Sequence, residues 1–74
     1  MKLPFLSSKE LCKFLEKEGF QCIRQKGSHC FYRHPDGRTT VVPVHSNKDI
    51  KRGLLKGILD EIQINREEFL KKYQ

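Results

Sequence analysis

The stretch His34-Pro35-Asp36-Gly37-Arg38 constrains the fold more than any other part of the chain. Proline presets a turn, and Asp36-Gly37 is expected to supply the positive dihedrals of a hairpin loop. Before it, Ser28 to His34 reads as a strand rich in aromatics. After it, Thr39-Thr40-Val41-Val42 reads as a strand of β-branched residues. Pro43 cannot donate to a ladder, so this strand ends there or lies on an edge. Lys26-Gly27 marks an earlier turn, and Phe20 to Gln25, only loosely alternating, is the first strand of the set.

Helices flank this core. Ser7 and Glu10 have the spacing of a capping box, and Leu11, Phe14 and Leu15 form an apolar stripe. Gly19 then stands where a left-handed residue stops a helix, so a helix is expected from about Ser8 to Glu18. Val44 to Asp49 reads as a polar connection ending in helix-capping residues, with Asp49 as a helix-start acid. Ile50, Leu54, Leu55, Ile58, Leu59 and Ile62 mark an amphipathic helix of about twelve to fourteen residues. Asn65 to Glu68 repeats the capping pattern before a short last helix anchored by Phe69-Leu70. The expected fold is α+β: a three-stranded antiparallel sheet with its helices on one face.

Residues 1–74 are read as one domain, since a chain this short supports a single compact core. Fifteen Lys and Arg against nine Asp and Glu give a net charge of +6, which favours a polyanionic partner such as nucleic acid, or an acidic protein. The start of the chain has no signal-peptide run and nothing approaches membrane-spanning length, so no membrane partner and a cytoplasmic location are expected. Cys12, Cys22 and Cys30 form no C-x-x-C pair, and no carboxylates cluster, so neither a metal nor another cofactor is expected.

The segments Gly27-Ser28-His29, Tyr32-Arg33-His34-Pro35-Asp36-Gly37, Val42-Pro43-Val44-His45 and Lys51-Arg52-Gly53, in this order and spacing, resemble the HicA toxins of HicA–HicB toxin–antitoxin pairs. The resemblance runs from about Ser7 to Leu70. It implies a fold like that of double-stranded-RNA-binding domains, α-β-β-β-α. It also implies a ribosome-independent endoribonuclease, an mRNA interferase that cleaves mRNA and arrests translation, and a HicB-type antitoxin as partner. The functional histidine of the family's Gly-Ser-His segment maps onto His29. Many members carry a second histidine directly after it, where this chain has Cys30.

The residues themselves are suited to that chemistry. An RNA phosphodiester carries its own nucleophile, the 2′-hydroxyl, so cleavage needs proton transfer and charge stabilisation. Histidine, with an unperturbed pKa of about 6.5, serves the first. Arg24, Lys26, Arg33, Arg38 and Lys48 are near enough in sequence to serve the second. Gly27 lets backbone approach a phosphate, and the Ser28 hydroxyl or nearby amides offer donors. A second proton carrier stays open among Cys30, His34 and His45. Strand parity poses a problem: His29, Phe31 and Arg33 share one face, and Ser28, Cys30, Tyr32 and His34 the other. If Phe31 points into the core, His29 must sit at the rim of the helical cover to meet substrate. A non-catalytic RNA-binding module and a protein-binding domain remain as alternatives; neither requires Gly27-Ser28-His29.

Overall fold

The computed structural model describes residues 3–44 and 49–73. A short strand β1 (Leu6–Ser7) leads into helix α1 (Ser8–Lys17), followed by strands β2 (Gln21–Lys26), β3 (His29–Arg33) and β4 (Thr39–Pro43). A second short strand, β5 (Asp49–Ile50), precedes helices α2 (Arg52–Glu61) and α3 (Arg66–Tyr73). The main sheet is antiparallel in the order β2-β3-β4. The α+β architecture expected from the turn and strand pattern is the one observed, and β4 both ends at Pro43 and forms an edge.

Helix α1 is fixed at both ends by its own sequence. Glu10 N–H donates to Ser7 Oγ at 3.1 Å, and Ser7 N–H donates to the Glu10 carboxylate at 3.0 Å. At the other end Gly19 takes φ 98°, Gly19 N–H donates to Glu16 O and Phe20 N–H to Leu15 O. That pair of bonds is a Schellman motif. Helix α2 ends the same way, with Gln63 at φ 59° in the left-handed position and Ile64 N–H on Leu59 O.

Three expectations are corrected. Ile50 is not helical: it pairs with Leu6 across a two-residue ribbon of β1 and β5. Asp49 therefore belongs to β5 and does not cap α2, whose N-cap is Lys51 without a side-chain bond. The helix is accordingly ten residues long. In the hairpin loop only Gly37 has positive φ. Asp36 instead accepts from Arg38 N–H at 3.0 Å and Arg38 Nε at 2.8 Å, which locks the turn.

The core lies between the sheet and the helices. Cys30 and Tyr32 of β3 and Thr40 and Val42 of β4 are buried against Leu11, Phe14 and Leu15 of α1 and Leu55, Ile58 and Leu59 of α2. Polar contacts cross the layers: Tyr32 OH donates to Glu16 at 3.5 Å, Thr40 Oγ1 to Glu61 at 2.9 Å, and Ser8 Oγ to Pro43 O at 2.8 Å. Helix α3 closes the base through an edge-on contact of Phe69 with Phe14 and an ion pair from Lys72 to Glu18 at 2.8 Å. All six residues of β2 are exposed, so the helical layer covers the β3–β4 side and leaves β2 as a bare edge.

Candidate active site on the open face of the sheet

Burial along β3 alternates, with His29 and Arg33 exposed, Phe31 half-buried, and Cys30 and Tyr32 buried. The parity problem is resolved by this pattern. Cys30 and Tyr32 face the helices, so His29, Phe31 and Arg33 face away from them. Phe31 does not enter the core, and His29 needs no rim.

Cross-strand partners share a face in antiparallel pairing. His29 is flanked by Lys26 on β2 and Pro43 on β4; Phe31 by Arg24 and Val41; Arg33 by Gln21 and Thr39. Simple alternation would not give this. Cys22 pairs with buried Tyr32 on the helix side, and alternation from there would send Arg24 and Lys26 to the helix side as well. The register shifts between Cys22 and Arg24, with Ile23 the extra residue. A bulge of this kind resets side-chain direction, and here it brings Arg24 and Lys26 onto the face that carries His29. The Arg24 guanidinium stands 6.0 Å from the centre of the Phe31 ring.

Gly27 and Ser28 form the two-residue loop between Lys26 and His29. Gly27 has φ 59°, and Ser28 does not share the positive dihedral, the arrangement of a type II′ hairpin turn with glycine leading. Ser28 O accepts from Val44 N–H, so the exit of β4 is tied to the turn beside His29. Among the described residues, no hydrogen bond is formed by the His29 ring. The turn end of this face thus assembles an imidazole, a glycine turn and Lys26, with Arg24 one row further along β2 and Arg33 at the far end of β3.

The other candidates fall elsewhere. His34 lies on the helix side of β3, with its ring edge-on to Phe20 at 5.0 Å and its Nδ1 accepting from Asp36 N–H at 3.1 Å. Cys30 is buried, and desolvation pushes its thiol up to about 11, so it holds its proton at neutral pH. Arg38 is committed to the fold: beyond its bonds to Asp36, it lies over the Phe20 ring at 5.1 Å and donates to Ile62 O. His45 and Lys48 lie outside the described residues. A cleft of about 440 Å³ is lined by Glu10, Lys13, Phe14, Lys17, Lys72 and Tyr73 of α1 and α3, and contains none of the site residues. Among the described residues no group of His, Cys, Asp or Glu converges as a metal-binding set.

Over residues 8–64, most of the chain, the sequence matches the family model described as the HicA toxin of bacterial toxin–antitoxin systems. The chain belongs to the HicA toxin family. As such it is the toxin of a toxin–antitoxin pair and has an antitoxin partner. No curated protein sequence matches it significantly. The matched span of this HicA toxin contains the whole three-stranded sheet, and with it His29, Lys26, Arg24 and Arg33. No helix among the described residues is long and apolar enough to cross a membrane.

Proposed function

We propose that this HicA toxin is an endoribonuclease that cleaves mRNA without the ribosome, with His29 as its acid–base residue. The observation that carries this reading is the placement of His29 on the uncovered face of the sheet, directly across from Lys26. Neutral His29 removes the proton from a 2′-hydroxyl, whose oxygen attacks the adjacent phosphorus. The bond to the 5′-oxygen breaks, leaving a 2′,3′-cyclic phosphate and a 5′-hydroxyl. The open face admits water, which protonates the departing oxygen, and the hydroxide so formed takes the proton back from His29, restoring the neutral imidazole. Lys26 and Arg24 hold the charge on the phosphoryl oxygens, Arg33 at the far end of the strand holds a neighbouring phosphate of the same RNA, and Gly27 and Ser28 let the backbone come close to the reacting one.

General acid–base help of this kind contributes about 10² to 10⁴ in rate. His29→Ala is therefore expected to abolish growth arrest and lower RNA cleavage by about that factor. Its melting temperature should stay at the wild-type value, because the exposed ring leaves no cavity. Cleavage by wild type should continue in EDTA, since the scheme uses only side chains, water and the RNA's own hydroxyl. A His29→Ala variant that still degrades RNA at the wild-type rate would remove His29 from the reaction. Wild type that binds RNA and cuts none would leave a binding module.

A further inference from the structure

We propose that Phe31 is a base-stacking platform beside the reacting phosphate, and that the substrate is therefore unpaired RNA rather than a duplex. This rests on the nuclease reading of the same face and adds the class of RNA and the residue that selects it.

The sheet's uncovered side carries one aromatic ring in the row next to His29. Phe31 is half-buried, with Arg24 on one flank and Val41 on the other. Residues two apart on a strand are separated by about 7 Å, so one unstacked nucleotide spans from a base on Phe31 to a sugar at His29. The Arg24 guanidinium lies over the ring, 6.0 Å from its centre, and adds a cation to the same platform. An exposed sheet that combines aromatic rings with flanking cations is the common arrangement for holding splayed bases.

Two separate arguments exclude a duplex at this spot. A paired base is stacked inside its helix and cannot lie on a side chain. In addition, attack by the 2′-oxygen requires it to line up opposite the departing 5′-oxygen, a geometry that a stacked A-form strand resists and a free strand reaches. The fold's likeness to double-stranded-RNA-binding domains concerns its topology.

The test uses a single-stranded oligonucleotide with 2-aminopurine and 2′-O-methyl groups throughout, which removes the nucleophile so that binding is read without cleavage. Base–aromatic stacking is worth enough that Phe31→Leu should bind about 5- to 150-fold more weakly and lose the quenching of 2-aminopurine. Phe31→Tyr should keep both, and Phe31→Trp should deepen the quenching, which preserves a readout if the leucine variant unfolds. A blunt duplex of the same sequence should bind no better than the single strand. If Phe31→Leu binds and cuts like wild type, or the duplex is preferred, this inference fails while the nuclease reading stands. Unchanged RNA binding with weakened antitoxin binding would assign the ring to the protein interface and overturn the proposal. Wild type that binds no RNA at all would overturn the nuclease reading, and this inference with it.

Discussion

Adjacent residues on β3 have opposite fates. His29 is exposed on the open face, whereas Cys30, 6% exposed, is sealed beneath the helices. The residue directly after His29 therefore presents its thiol to the core. Burial raises the Cys30 thiol from its ordinary value near 9 to about 11. Between those two values the native state keeps a proton that the unfolded chain has lost, so stability falls as pH rises. The loss should begin near pH 9 and reach about 2 to 3 kcal/mol by pH 11. Tyr32, whose hydroxyl burial also pushes up, adds to it above pH 10. Denaturant midpoints at pH 8 and pH 10.5 would measure the effect, and Cys30→Ala should flatten part of the slope. Iodoacetamide at neutral pH should label exposed Cys22 and spare Cys30.

Helix α1 shows how local signals act when they are complete. Ser7→Ala removes one half of the capping box and should cost about 1 kcal/mol. For a domain of this size that lowers the melting temperature by about 4–8 °C. Gly19→Ala should cost at least as much: its φ of 98° is strained for alanine, and the new Cβ would stand 2.9 Å from His34 Nε2. Thermal melts of the two variants, with activity measured at a permissive temperature, would check both. These ends were legible because serine, glutamate and glycine at the right spacing are the cap. The start of α2 was not, since Lys51 caps with backbone alone and Ile50 is claimed by Leu6, 44 positions away in the sequence. The end of α2 also carries no signal, because glutamine at the left-handed position looks ordinary. At the site, the glycine turn and His29 could be read from sequence. The face they occupy could not: it depends on the bulge at Ile23, which alternation shows only as irregularity, and on which side the helices pack. Arg38 likewise looked like a phosphate ligand because charge is visible in sequence and a clamp onto Asp36 and Ile62 is not.

At the scale of the whole molecule, the candidate site lies on an exposed strand face, and that bears on how an antitoxin would switch it off. The protein measures about 33 × 30 × 18 Å. A HicA toxin has an antitoxin partner, and His29 stands exposed to one on the sheet face. An interface of standard size removes about 800 Å² from each side, about one sixth of the 5151 Å² surface of this domain. A contact of that area centred on β3 covers His29, Phe31, Lys26, Arg24 and Arg33 together. The net charge of +6 draws in an acidic partner and raises the association rate above the neutral range of about 10⁵–10⁶ M⁻¹s⁻¹, with a strong dependence on salt. We therefore expect the antitoxin to inhibit by lying across the open face. Hydrogen exchange of the complex should slow in residues 26–32 and in β4, and His29→Ala should bind the antitoxin nearly as tightly as wild type. Lys26→Glu together with Arg24→Glu should slow association without speeding dissociation to the same degree. Full inhibition with unchanged exchange across residues 26–32 would instead mean that the antitoxin grips the helical side and distorts the sheet from behind.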